Sequence, residues 1–373
     1  MSAPIRATVA VTGMNATDNP APGVGVARSL RLDPGFTGRI VGLGYDPLDP
    51  GFYAAGLLDG GAVMPYPSLG SDVFMSRIRM VREQFRIEAL IPTLDSELRA
   101  MSALERDLDD EGIGTFLPSL DAIERASKPQ LPALAAAASV RIPDSEAIGS
   151  VDGLPKLIKK FGLPVVVKGV YYGAYVAESE ASAIAAFHHY EATWGVPVIV
   201  QEHVAGEEYN VCALGDGHGG MIGAVAMRKL MVTDKGKGWA GVTVANPHLL
   251  TVAERLIATL KWRGPLEVEI MVSGRGESLD DLHIIEINPR FPAWVYLTAA
   301  AGQNLPAMCA RLALGLPTPA RLEPYTAGRM FVRIALDQIA DIAAFGQLSA
   351  TGALPFGPIS IASSLSTLPV SLS

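Results

Sequence analysis

Two short apolar stretches carry the polar residues best placed to do chemistry. In "LHIIEINPRF" (Leu282–Phe291), Glu286, Asn288 and Arg290 stand at alternate positions, with Ile285 and Ile287 between them. Side chains alternate across a strand, so a strand here puts a carboxylate, an amide and a guanidinium on one face. Ile285 and Ile287 then take the core face. In "GPLEVEIMV" (Gly264–Val272), Glu267 and Glu269 share a face opposite Val268 and Ile270. If the two strands pair, Glu269 approaches Glu286 and Asn288. Burying such a set is costly unless it binds something. Two carboxylates and an amide oxygen make a hard, oxygen-only site that suits Mg2+ rather than zinc, with Mn2+ as the alternative ion. Magnesium keeps positions open for water or phosphate oxygens, and Arg290 would be aimed at the same phosphate or at a developing oxyanion. A solvated polar face on a surface strand pair is the competing reading. The apolar flanks of both strands argue against it.

Other candidates lie upstream. Lys168 ends the apolar run "PVVVK", and Lys128 stands in "ERASKPQL". Each is either a charge reaching solvent or a cation held over a phosphate chain. In "VIVQEHVAGEEYNV" a strand leads through Gln201, Glu202, His203 and Val204 to a glycine-containing turn before Glu208. Such a segment could offer backbone groups to an adenine edge and a carboxylate to a ribose.

The elements that must hold these residues fall into two patterns. "ATVAVTG", "RIVGLGYD", "EALIPTLDSEL" and "IGTFLPS" are expected strands, the first and third running on toward helices. Strand and helix alternating at this spacing indicate a parallel sheet with helices on its faces. Near residue 120 the pattern changes. "KLIKKFGLPVVVKG" brings a helix into a strand, "SEASAIAAFHHYEATWG" is a helix, and "PVIVQEHV" is a strand. "YNVCALGDGHGGMIGAVAMRKL" reads as an antiparallel hairpin about Gly-rich turns, and "PHLLTVAERLIATLKW" as an amphipathic helix. After Tyr325, "RMFVRIAL" is an expected strand and "DQIADIAAF" an expected helix, followed by a weakly patterned tail.

Composition narrows the classes. With 373 residues, 49% of them hydrophobic and 18% charged, the chain can bury the cores of two or three domains. A net charge of −8 argues against a nucleic acid or an anionic membrane as the main partner. Cys212 and Cys309 stand alone, without CxxC spacing, and the histidines show no metal-ligand spacing; His188 and His189 read as a solvated helix edge. "MSAPIRATVAVTG" lacks the apolar length of a signal peptide, and the uncharged stretch from Ile342 to Ser373 is broken by Gly, Pro and Ser. The expectation is a soluble cytoplasmic protein.

The order Lys128, Lys168, "VQEHVAGEEYNV", Glu269, "IIEINPRF", over roughly residues 120–320, resembles the ATP-grasp superfamily. The likeness is to single-chain carboxylate–amine ligases similar to the large subunit of carbamoyl-phosphate synthetase. "VTGMN…GVGVARSL" and "IPTLDSEL" resemble the domain that precedes ATP-grasp in that family. The resemblance implies an α/β and α+β fold: a Rossmann-like parallel sheet over 1–118 and an ATP-grasp domain over 119–322. A mobile lid would span about 140–203, with a C-terminal extension over 323–373. It further implies that Lys128 and Lys168 contact the nucleotide phosphates, Lys168 also reaching the adenine. Gln201, Glu202, His203 and Val204 would line the adenine, and Glu208 would hold the ribose. Glu269, Glu286 and Asn288 would bind magnesium, and Arg290 would stabilise the acyl-phosphate step. Lys229 and Lys237 would touch phosphate or a substrate carboxylate, with ordinary loop solvation as their competing reading. Two features depart from the family: the lid loop "GVYYGAYVAES" carries Tyr171, Tyr172 and Tyr175, and Ser127 precedes Lys128 where many members have an acidic residue.

The implied partners are ATP with small-molecule or peptide carboxylate and amine substrates, with no nucleic acid and no membrane. Trp294 and Tyr296 would either line the acceptor pocket or pack in the core. The uncharged tail would dock on a partner or on the second subunit of a homodimer. Two rivals remain. One is a non-catalytic nucleotide sensor or scaffold with the same fold. The other is a dinucleotide-dependent oxidoreductase, prompted by "GVGVAR" with Asp46 downstream, although Arg28 stands where a third glycine belongs.

Overall fold

The computed structural model describes residues 4–170, 173–233 and 236–357. The early alternation of strand and helix folds as a parallel sheet of β1 (Thr8–Val11), β2 (Arg39–Gly44), β3 (Gly60–Val63) and β4 (Ile87–Ile91). β1 lies between β2 and β4 and is buried along its length. Val9 and Val11 enter one core cluster and Ala10 another, as period-two alternation between two covered faces requires. The helix Pro22–Leu32 begins hard against the end of β1. A Cβ on Gly23 would sit 1.8 Å from the Thr12 carbonyl oxygen, so only glycine permits this approach. Asp46, the acidic residue of the dinucleotide reading, is tied into a turn by accepting from Leu48 N at 2.8 Å.

The expected strand "IGTFLPS" is reduced to one bridge, Ala89 to Gly114. Pro118 cannot donate to a ladder, and Ser119 caps the helix Leu120–Arg125 immediately after it.

A second sheet contains β5 (Ser145–Ile148), β6 (Val165–Lys168), β7 (Ala174–Ala177) and β8 (Val198–Glu202), in the order β5-β8-β6-β7. Helices Leu154–Phe161 and Glu180–Trp194 supply its separate core through Leu154, Leu157, Ala183 and Phe187. His188 and His189 are exposed on the second helix, as read from the sequence.

The third sheet carries β9 (Glu207–Asp216), β10 (Met221–Val232), β11 (Gly238–Thr243), β12 (Arg263–Val272), β13 (Leu282–Asn288) and β14 (Met330–Val332). It is antiparallel throughout, in the order β13-β12-β9-β10-β11-β14. Helices Leu131–Ala138 and Pro247–Leu260 cover one face. The register of β12 and β13 jumps from Glu269 opposite Glu286 to Ile270 opposite Ile284, so Ile285 is a one-residue bulge. Ile284 and Ile287 therefore reach the core while Ile285 is only half-buried, which corrects strict alternation.

The C-terminal segment differs from its expectation. "RMFVRIAL" keeps only three strand residues, because its partner β11 begins at Gly238 and leaves the chain beyond Arg333 nothing to pair with. The helix starts at Ile342 rather than within "DQIAD", because Asp341 caps it by accepting from Ala343 N at 2.8 Å. A final strand, β15 (Ala353–Leu354), pairs antiparallel with β3. Part of the tail, Ala353–Leu354, thus docks on the N-terminal sheet of its own chain; residues after Gly357 lie outside those described.

Candidate active site

β12 and β13 bring the acidic residues together in the register that alternation demands: Glu269 faces Glu286, and Glu267 faces Asn288. Asn288 Nδ2 donates to Glu267 at 3.1 Å and to Glu269 at 3.2 Å, which leaves Oδ1 as the acceptor of that amide. Burial pushes the Glu269 carboxyl up and the Lys229 charge pulls it back, while Glu267 and Glu286 add to the rise.

Glu267 has a part that its sequence position did not disclose. It is buried, and its two oxygens accept from Asn210 Nδ2 at 2.6 Å, Trp294 Nε1 at 2.7 Å, Asn288 Nδ2 and Arg290 Nη1, the last at 3.1 Å. Four donors, one each from Asn210, Asn288, Arg290 and Trp294, satisfy the buried charge and fix these four side chains. Trp294 is therefore packed in the core, the second of the two uses considered for it, with its Nε1 satisfied by Glu267. Arg290 is clamped a second time, its Nε donating to Asp95 at 3.1 Å from the N-terminal half of the chain. Burial opposes its charge, and Asp95 and Glu267 more than compensate, so its pKa is raised. Asp95 was visible only as the start of a helix after "IPTL".

Three lysines meet these carboxylates from different elements. Lys128, in the short 3-10 turn Lys128–Gln130, places Nζ 3.2 Å from Glu286. Lys229, on β10 and almost fully buried, pairs with Glu208 on β9 and lies 3.5 Å from Glu269. Burial alone would lower its pKa, but Glu269 and Glu208 raise it. Lys168, at the end of β6, is 7% exposed. Burial lowers it to about 8, against the opposing fields of Glu286, Glu269 and Glu208. A cation held this way has lost its water and is short of counter-charge, the condition in which an anion binds well.

Gln201, Glu202, His203 and Val204 sit where β8 leaves the second sheet. Gln201 is buried between Ser145 and Val166; Glu202 N donates to Asp144 O at 2.8 Å; His203 and Val204 are half-buried in the following loop. Lys237 enters the site from the loop before β11. It pairs with Asp18 in the N-terminal loop, and Arg333 grips the same loop by donating to the carbonyls of Asp18, Asn19 and Pro20. Burial lowers Lys237, and Arg290 and Arg333 lower it further, so three cations share this corner. Neither Asp18 nor Arg333 carried a recognisable pattern in the sequence. Of the lid tyrosines, Tyr175 is exposed on β7, and Tyr171 and Tyr172 fall outside the described residues.

Among the described residues no three His, Cys, Asp or Glu side chains gather as a metal cage. The donors on hand are Glu269, Glu286 and the Asn288 amide oxygen, hard oxygens in adjacent register positions. Such a partial set fits magnesium, which takes its remaining ligands from phosphate and water, and does not fit zinc.

Residues 195–332 match the family model described as ATP-grasp in the biosynthetic pathway with Ter operon. Phosphoribosylamine–glycine ligase of Nostoc sp. is 26% identical over 211 residues, 49% of this chain and 49% of that protein, so the match spans about half the relative's length. Biotin carboxylase from Campylobacter jejuni, solved as a β-γ-ATP complex, superposes with a TM-score of 0.66 at 16% identity, covering 84% of this chain and 72% of that one. The biotin carboxylase domain of 2-oxoglutarate carboxylase from Hydrogenobacter thermophilus, solved with magnesium ADP and bicarbonate, gives 0.64 at 15% identity over 86% and 72%. The chain has the ATP-grasp fold and resembles the ATP-grasp carboxylate–amine ligases. No helix among the described residues is long and apolar enough to cross a membrane.

Proposed function

We propose that this chain is an ATP- and magnesium-dependent ligase that joins a carboxylate to an amine through an acyl phosphate, releasing ADP and phosphate. One observation carries the reading: Lys128 from the linking turn lies 3.2 Å from Glu286, Glu286 stands opposite Glu269 on the third sheet, Lys229 lies between Glu269 and Glu208, and buried Lys168 ends β6 of the second sheet within their field. A seam of fixed cations beside hard oxygen donors is complementary to a polyphosphate and its metal.

In this reading Lys128 and Lys168 hold the nucleotide phosphates. Backbone groups at Gln201, Glu202, His203 and Val204 take the adenine, and Glu208 takes the ribose. Glu269, Glu286 and Asn288 would hold magnesium, which when bound neutralises charge on the phosphate oxygens. A substrate carboxylate oxygen attacks the γ-phosphorus and ADP leaves. The amine nitrogen then attacks the acyl carbon, inorganic phosphate departs, and the amine loses a proton. Arg290, held rigid by Asp95 and Glu267, is positioned for the charge that develops on the acyl phosphate, and pre-set donors cost no reorganisation at that moment. Lys237, with Arg333 beside it, is the candidate contact for the substrate carboxylate, and Lys229, between Glu208 and Glu269, offsets the repulsion of the two carboxylates. The second sheet would shield the acyl phosphate from water.

Hydroxylamine tests this reading, because it intercepts acyl phosphates as hydroxamates. With ATP, Mg2+ and a panel of carboxylic acids and short peptides, hydroxamate is expected with one acid class only, which names the carboxylate. Amide formation that hydroxylamine neither diverts nor slows would overturn the acyl-phosphate route.

A further inference from the structure

β14 is the outer strand of the third sheet, and its edge, unpaired among the described residues, continues into a segment with an unusual pattern. Met330, Val332, Ile334 and Leu336 are 61%, 61%, 70% and 70% exposed, while Phe331 and Arg333 between them turn inward. An apolar strand edge of this kind is a template for another strand, and proteins normally blunt or cover it.

The hydrogen-bond pattern says which groups face outward. Thr243 N donates to Arg329 O at 2.8 Å and Arg333 N donates to Trp239 O at 2.9 Å, so the odd-numbered residues spend their backbone groups on β11. Those of Met330 and Val332 point to the open side, as antiparallel pairing requires. Any strand added here must therefore pair through even-numbered residues.

We propose that this edge is covered by a second copy of the same segment, antiparallel about a two-fold axis at Arg333. A two-fold contact places residue i against residue j and j against i, so the segment must complement itself. With the axis at Arg333, Val332 faces Ile334 and Met330 faces Leu336, all even-numbered. Arg329 then faces Asp337, and both are exposed. Moving the axis to residue 332 or 334 keeps the backbone parity but sets Arg329 against Ala335 or Ile339 and leaves both charges without a partner. An axis at residue 335 would set Arg329 against Asp341 and Arg333 against Asp337. But Asp341 already caps the helix at Ile342, Arg333 is held by the carbonyls of Asp18, Asn19 and Pro20, and Val332 would face Gln338. The axis at Arg333 keeps the even-numbered apolar residues opposite one another and both charges free to pair. Arg333 meets its copy on the axis, where the carbonyls of Asp18, Asn19 and Pro20 hold its guanidinium aside. Continuous sheet across a dimer is strand addition between copies. The contact is short, of the class below about 1,200 Å2 that dissociates readily, so the dimer is concentration-dependent.

Sedimentation equilibrium on the full chain tests this. A reversible dimer is expected. Arg329→Asp and Asp337→Arg should each weaken it by about tenfold, since each sets like charges opposite one another twice, and the double reversal should restore it. Ile334→Pro removes an outward N–H without touching the β11 ladder and should leave a monomer with an unchanged melting temperature. Because Cys212 and Cys309 are buried, a mixture of Val332→Cys and Ile334→Cys chains should give a disulfide-linked pair that neither forms alone. A monomer at every concentration overturns the proposal, as does a dimer indifferent to both reversals. So does a monomer that dimerises only when residues after Gly357 are removed, since the chain's own tail would then cover the edge.

Discussion

Arg290 donates from Nη1 to Glu267 at 3.1 Å, and this contact joins the end of β13 to a carboxylate buried on β12. Arg290 also reaches Asp95 at 3.1 Å, so its guanidinium is held at two points. Asp95→Asn should weaken one clamp while keeping shape. Turnover is expected to fall by about tenfold or more, because an arginine free to swing must be ordered during the reaction. ATP affinity should not change. Equal losses in turnover and affinity would show that Asp95 acts on nucleotide binding instead.

Glu267→Gln puts an amide NH2 where four donors now converge. At least one buried donor loses its acceptor, which costs about 1–3 kcal/mol. Urea unfolding should show a lower midpoint with an unchanged slope. A wild-type midpoint would mean the donors find other acceptors.

Lys168 supplies a pH dependence. Burial lowers it to about 8, so the side chain is a cation below that pH and neutral above it. Nucleotide phosphates held by Lys168, as proposed, would favour the cation. The dissociation constant for ATP should therefore rise as pH climbs through 8, and binding above pH 8 should take up protons. Calorimetry in buffers of different ionisation enthalpy reads this uptake, which Lys168→Met should abolish. Uptake that persists in the variant would assign the titration elsewhere.

Ending the chain after Gly352 removes β15, whose Ala353 and Leu354 are buried against β3. The N-terminal sheet loses a strand, and the thermal midpoint should fall by about 1–3 °C, as about 1–2 kcal/mol does in a chain of this size. An unchanged midpoint would show that the strand contributes nothing.

Much of this arrangement was legible in the sequence, for identifiable reasons. Glu269, Glu286, Asn288 and Arg290 stand on short strands whose alternation is nearly regular, and period two predicts who faces whom. It failed at Ile285, where a bulge inserts one residue that no composition marks. The parallel sheet followed from strand–helix spacing, but Gly114 could not be seen to make a lone bridge, since Pro118 and the Ser119 cap act together to end it. The clamp on Arg290 was not legible, because Asp95 is distant in sequence and becomes adjacent only through folding. The same holds for Asp18 and Arg333, which meet Lys237 from opposite ends of the chain. Lys168 could be read as a candidate because it ends an apolar strand and Lys128 through the order it keeps with the later motifs, yet the approach of Lys128 to Glu286 appears only in the folded chain.

The proposed ligase function depends on Lys128, Lys168, Glu269, Glu286 and Asn288 holding metal and phosphate, and Glu286, paired with Lys128, is the residue whose change tests it most directly. The direct measurement is magnesium-dependent ADP release from ATP, with small-molecule extract from the source cells added, in wild type and Glu286→Gln. The substitution keeps shape and removes the charge that would hold magnesium and pair with Lys128. Extract-stimulated ADP release in wild type, abolished in a folded variant, is the predicted result. Equal ADP release by both proteins would contradict the assignment of Glu286 and the mechanism built on it.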